Sequence, residues 1–189
     1  MPAAMRTGLA SLMLCSAPAW AVDGGGFYAG GSIGEFTIDF SDPSAGISFD
    51  DSDTGFRIFG GWQFNEFFAV EGGYVDGGSP NETFDAGGIP VTVDIEVTGF
   101  DLLLRGTLPL GESLFAFAEA GMLFWDADVS ASGGGSSSSL SDSGEDAAYG
   151  AGFGFNFGDN AAARIEYVLY DISDADAEAI LASIPWRFR

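Results

Sequence analysis

Residues 54–76 read TGFRIFGGWQFNEFFAVEGGYVD and alternate with a period of two on both sides of a polar break. Phe56, Ile58, Gly60, Trp62 and Phe64 fall on one face; Arg57, Phe59, Gly61 and Gln63 fall on the other. Beyond Asn65-Glu66, the set Phe68, Val70, Gly72 and Tyr74 stands against Phe67, Ala69, Glu71, Gly73 and Val75. Such alternation across a short polar break predicts a β-hairpin with a two-residue turn at Asn65-Glu66. A soluble hairpin also buries one face, so the pattern alone leaves the environment open. Strand length, aromatic ends and repetition of the unit decide it.

The unit does repeat. Strands are predicted over residues 26–38, 93–108, 114–129, 147–157, 162–170 and 177–188, besides the two of the hairpin. The cleanest is 147–157, with Tyr149, Ala151, Phe153, Phe155 and Phe157 opposite Gly150, Gly152, Gly154 and Asn156. In 26–38, Phe36 and Ile38 leave the apolar set begun by Phe27, Ala29 and Ile33, which predicts a bulge, or emergence from the membrane, near Glu35. In 93–108 the apolar parity switches near Thr98-Gly99, which predicts a bulge or a twist point there. Pro185, near the end of the last strand, forfeits one ladder hydrogen bond. Connections alternate in length. Residues 41–53, 77–92 and 130–144 read as long polar loops, the last containing GGGSSSSLS and expected to be flexible.

Residues 1–21 carry one charge, Arg6, a short apolar run from Leu9 to Cys15, and Ala19-Trp20-Ala21, a small-x-small pattern. This predicts a signal peptide cleaved after Ala21, leaving residues 22–189 as one domain. The apolar run is too short to span a membrane, and Leu14 before Cys15 does not suit a lipoprotein signal. No cysteine remains after residue 21, so no disulfide is expected. Hydrophobic residues make up 47%, with 18 Phe and 29 Gly, yet no later stretch approaches a spanning helix. An exported, aromatic, glycine-rich chain of this kind suits a transmembrane β-barrel, where only every second residue must be apolar.

Eight strands are an even number, so both termini lie at the same end, with short turns there and longer loops opposite. The fold class expected is all-β, an eight-stranded antiparallel up-and-down transmembrane β-barrel. The interior of such a barrel is just filled by side chains. Arg57, Glu71, Asp101, Arg105, Glu119, Arg164 and Glu166 share the inward parity and are expected to form an interior ion-pair network. Arg57, Glu71, Arg105 and Glu119 would be its central ladder. Inward Gly61, Gly73, Gly150, Gly152 and Gly154 leave room for the long side chains. The same residues would also suit the wet face of a soluble sandwich or lipocalin-like barrel, but the aromatic strand ends match membrane girdles.

The formal net charge is −22, with no Lys and no His. Nucleic-acid binding is excluded for want of a basic surface. The absence of His removes Ser-His-Asp and Cys-His mechanisms and the commonest metal ligand. No catalytic, cofactor-binding or metal-binding residues are assigned. Asp50, Asp51 and Asp53, or Asp171, Asp174 and Asp176, are candidates for divalent cations, but lack the spacing of an EF-hand.

FYAGGSIG, GWQFNEFFAVEGGYVD and ILASIPWRF resemble the outer-membrane protein β-barrel domain family, the OmpA-like eight-stranded transmembrane domain. The resemblance covers the mature chain and implies a bacterial outer-membrane location. It also implies a monomer whose partners are outer-membrane lipid, lipopolysaccharide and the outer-membrane assembly machinery. The family's last strand usually ends on an aromatic residue, whereas here Arg189 follows Phe188. Cell-wall tethering belongs to a further domain of larger members and is not carried over. The expected function is non-enzymatic: a structural or surface role with acidic extracellular loops. The alternatives are a narrow or gated ion channel, and an adhesin or cation-binding surface protein.

Overall fold

The computed structural model describes residues 25–42, 47–79, 81–85, 88, 90–172 and 175–188. The cleavable segment expected at residues 1–21 lies outside them. The strands are β1 (Gly26–Asp42), β2 (Ile47–Gln63), β3 (Phe68–Asp76), β4 (Asn81–Asp85), β5 (Pro90–Pro109), β6 (Leu114–Gly133), β7 (Ser136–Phe157), β8 (Ala161–Ile172) and β9 (Ala175–Arg187).

Each strand pairs antiparallel with its neighbour, and β9 returns to β1, so the sheet closes. β3 pairs with β5 at Phe68↔Gly106 through Asp76↔Thr98, and β4 pairs with the same strand from Asn81↔Asp94 to Asp85↔Pro90. β3 and β4 are thus successive parts of one stave, and the closed barrel has eight. Closure satisfies every ladder within the wall, which a sheet in hydrocarbon requires.

Parity sorts the side chains as the alternation implies. Ile58, Phe100, Leu104, Phe153, Ile165 and Ile184 are exposed on the outer face. Aromatic rings gather at both edges of this apolar band. Phe27 and Phe188 lie 6.2 Å apart at the short-turn end, and Tyr74 and Phe100 lie 5.3 Å apart at the other. Such a band with two aromatic girdles is the outer surface of a membrane barrel.

Several local expectations are corrected. The β2–β3 connection is one residue longer than a two-residue turn. Gln63 faces Ala69, and Phe64 N–H donates to the Phe68 carbonyl at 2.9 Å, so Asn65, Glu66 and Phe67 form the loop. Directly opposed residues must share a face, and Phe64 and Phe68 both point outward; a two-residue turn would have opposed Phe64 to Phe67. The Asn65 side-chain oxygen accepts from the N–H groups of Phe67 and Phe68 at 2.8 and 2.9 Å and sets the turn.

Neither expected bulge exists. β1 and β2 pair one-to-one from Gly26↔Gln63 to Asp42↔Ile47, and β5 and β6 from Val91↔Gly133 to Pro109↔Phe115. Phe36 simply points inward, because the lumen at its height is apolar. Much of the long loops is also strand. β6 and β7 pair up to Gly133↔Ser136 and are joined by Gly134 and Gly135, with φ of +59° and +85°. Two consecutive positive φ values are what a tight hairpin turn needs, and glycine supplies them without strain. Serine serves as a strand residue there because both faces of the ribbon are wet.

Wall spacing is tightest at two inward glycines. A Cβ at Gly121 would collide with the Leu102 carbonyl oxygen, and one at Gly34 with that of Ile180. Gly121→Ala and Gly34→Ala are each expected to destabilise the barrel by about 1–3 kcal/mol. Gly72→Ala, where the nearest atom would be 3.6 Å away, should be neutral. Urea titrations followed by gel mobility of unheated samples measure all three.

Candidate functional site

The outer face is apolar, so any specific chemistry of the membrane-embedded part lies in the lumen. Its centre is a buried ionic layer contributed by β2, β3, β5, β6 and β8. Arg57, Glu71, Asp101, Arg105, Glu119, Arg164 and Glu166 are all 6% exposed or less. They sit there because each has inward parity and faces glycine or a small residue across the ladder. Arg57 crosses over Gly73, where a Cβ would lie 2.8 Å from its Nε, and Glu119 crosses over Gly150.

Glu71 is the hub. Its Oε1 accepts from Arg57 Nη1 at 2.6 Å. Its Oε2 accepts from Tyr28 Oη at 2.9 Å, from Arg164 Nη1 at 3.3 Å and from Arg105 Nη2. Arg57 also grips Asp101 with two parallel bonds, Nε to Oδ2 at 2.5 Å and Nη2 to Oδ1 at 2.7 Å. Arg105 Nε donates to Glu119 Oε2 at 3.1 Å and Arg164 Nε to Ser183 Oγ at 3.0 Å. Aromatic rings insulate the layer. Arg57 and Arg164 lie 5.1 and 4.6 Å from the Phe59 ring centre, and Arg105 and Arg164 lie 5.2 and 5.6 Å from that of Phe117. Glu166 stands apart: it is 2% exposed and its oxygens accept no hydrogen bond from the described residues.

The layer divides two unlike halves of the lumen. On the long-ribbon side, Phe36, Val75, Leu103, Leu123, Val168, Tyr170 and Leu181 pack into an apolar plug. It leaves a cavity of about 30 Å³. On the short-turn side a vestibule of about 130 Å³ is floored by Tyr28, Arg105 and Arg164 and walled by Phe115, Asn156 and Pro185. Among the described residues, polar groups therefore do not line a path from end to end. Tyr28, Ser183 and the plug are parts of the site that the sequence reading did not assign. For Tyr28 the only signal is that it shares parity with Gly30 and Ser32.

Outside the membrane band, the cation candidates divide. Asp174 and the side chains of Asp50, Asp51 and Asp176 lie outside the described residues. The Asp53 carboxylate accepts from Ser79 N–H at 2.9 Å and Thr54 N–H at 2.7 Å, and these bonds hold its pKa below the usual carboxylate value. Among the described residues, no three carboxylate, cysteine or histidine groups come together to hold a metal.

The closed wall, outward apolar band and charged lumen agree with a match of residues 7–188 to the model of the outer membrane protein beta-barrel domain. The chain belongs to that family. Three solved structures share the fold. Ail, the attachment invasion locus protein of Yersinia pestis, in complex with the heparin analogue sucrose octasulfate, is 20% identical; 86% of this chain covers 99% of that one, with a TM-score of 0.57. Neisserial surface protein A is 18% identical over 88% of this chain and 100% of that one, with a TM-score of 0.60. The outer membrane protein OprG from Pseudomonas aeruginosa is 13% identical over 88% and 96%, with a TM-score of 0.53. At these identities the likeness is one of fold. No curated protein sequence matches the chain. Family and fold together imply a bacterial outer-membrane location.

Removing the hub tests the layer. Glu71→Gln leaves three guanidinium groups short of a carboxylate and is expected to destabilise the barrel by about 3–5 kcal/mol. Glu166→Gln, which breaks no hydrogen bond, is expected to be neutral or stabilising. Refolding titrations in detergent distinguish them. Asp53 gives a pH prediction. Its carboxyl is held below its unfolded value, so the clamp on Ser79 is present at neutral pH and is lost as pH falls through the lowered pKa. Exchange protection of the Ser79 amide should follow that course, and Asp53→Ala should remove it at every pH.

Proposed function

We propose that this protein is a non-enzymatic, monomeric outer-membrane barrel that presents an acidic surface to the outside of the cell. Its short turns face the periplasm and its long ribbons face outward, the usual orientation of such barrels. Lipid and lipopolysaccharide cover the apolar band, and the assembly machinery inserts the chain.

One observation carries the reading: where the cations are. The chain has no Lys and no His. Arg57, Arg105 and Arg164 are buried in the ionic layer, and Arg187 lies at the short-turn end beside Tyr28. The described ribbons at the opposite end carry Asp53, Asp76, Asp94, Glu96, Asp126 and Asp128 with no basic residue among them. A surface of one sign attracts counter-charged partners and repels like-charged ones. Ail is described with a heparin analogue, a polyanion. The described residues at the long-ribbon end of this chain include no cation, so that ligand is not carried over.

Conduction is the weaker reading. The apolar plug opposes ion entry, since a narrow hydrophobic constriction stays dry. Planar bilayers containing the purified protein should be silent, and Arg105→Ala should remain silent. Discrete openings in either would favour the gated-channel alternative. For the surface reading, proteoliposomes should retain polylysine and ignore heparin, with retention falling steeply as salt rises. Equal binding of both polymers, or of neither, would remove it.

A further inference from the structure

Among the described residues, one strand edge at the long-ribbon end is open. β7 pairs with β8 no higher than Ala147↔Asp171, whereas its pairing with β6 continues to Gly133↔Ser136. Among the described residues, positions 136–145 have a ladder on one side alone. At about 3.4 Å per residue this edge is roughly 30 Å long. Every second residue along it turns its N–H and C=O away from β6.

Among the described residues, the edge carries few of the usual guards. Strand edges are blunted by charged side chains, lysine above all, by proline, by bulges or by a covering segment. Residues 136–145, SSSSLSDSGE, contain neither Lys nor Pro, and their register with β6 is one-to-one throughout. Residues 136–143 are exposed, Leu140 at 72%. Small serines keep side chains from obstructing an incoming strand.

Charge selects the occupant. Asp142 and Glu145 stand on the edge strand, with Asp126 and Asp128 on its neighbour β6; Ser141 Oγ donates to Asp128 at 2.5 Å. The nearest basic residues in sequence, Arg105 and Arg164, are both in the lumen. Acids set against acids disfavour pairing with a second copy of this chain, since like charges on facing strands are destabilising. A lysine- or arginine-bearing strand meets the opposite condition. We propose that the free edge of β7, residues 136–145, captures an extended basic peptide segment as an additional strand. Main-chain bonds supply the affinity in strand addition, and the carboxylates supply the selection. The inference rests on the long-ribbon end facing outward.

The full-length protein in nanodiscs, with a fluorescent ten-residue peptide of alternating Lys and Val, tests it by anisotropy. Its fully N-methylated counterpart keeps the charge but has no amide donor. It is expected to bind at least about tenfold more weakly. The Ser139→Pro/Ser141→Pro double variant, verified as folded by gel mobility, should lose binding to a similar extent. Asp142→Asn/Glu145→Gln preserves the ladder and should weaken binding several-fold while flattening its salt dependence. Undiminished binding of the N-methylated peptide would sink the edge proposal and leave the acidic-surface reading standing, since charge alone would then suffice. So would cross-linked dimers joined through residues 136–145. Failure of the parent peptide together with polylysine would remove both.

Discussion

Backbone hydrogen bonding in hydrocarbon is the constraint on which everything else here depends. An open edge inside the membrane leaves N–H and C=O groups unpaired at a cost of several kcal/mol each. The wall must therefore close, and β9 meets β1 with an unbroken register from Tyr28↔Arg187 to Asp39↔Asp176. Closure makes an inside. Once an inside exists, every second residue of every strand points into a space eight strands wide, and whatever stands there must pack and neutralise itself. The same rule lapses beyond the apolar band. There, among the described residues, the β6–β7 ribbon has a ladder along one edge only, and such an edge can be hydrated.

The ionic layer solves the packing problem in a particular way. Arg57, Arg105 and Arg164 converge on Glu71, and each guanidinium also lies against a phenylalanine ring. Planar guanidinium groups suit this because they bond in their plane and stack on their face. A buried carboxylate shared by several cations is weak as a source of stability compared with an apolar core of the same size, but it is costly to break. The layer thus fixes which strands stand opposite which across the lumen. An apolar plug lies on one side of the layer and a small vestibule on the other.

The architecture was legible because membrane strands are written in parity. The Phe56–Ile58–Trp62 and Phe68–Val70–Tyr74 sets faced outward, and their complements faced inward, as alternation alone requires. Errors arose where inward was equated with polar. Phe36 and Val97 break the apolar parity of their strands, yet neither marks a bulge. They are inward residues at a height where the lumen is apolar, and a single strand gives no coordinate for height across the barrel. The GGGSSSSLS stretch looked like flexible linker for a related reason. Composition reports what a segment cannot bury, and a two-faced wet ribbon has nothing to bury.

By itself the sequence determined the strand count, the closed antiparallel class, the outward face and the sign of charge on each part of the chain. These follow from period-two alternation and from where six arginines fall among 28 acids. The tertiary structure decided what no single strand encodes. Glu71 became the shared acceptor because β2, β5 and β8 bring their arginines to one level from different sides of the barrel. The plug formed because residues distant in sequence, Phe36, Leu103 and Leu181, come together in one packed cluster. Strand tilt and register decide these encounters, and both are properties of the closed sheet, fixed only when the last strand meets the first.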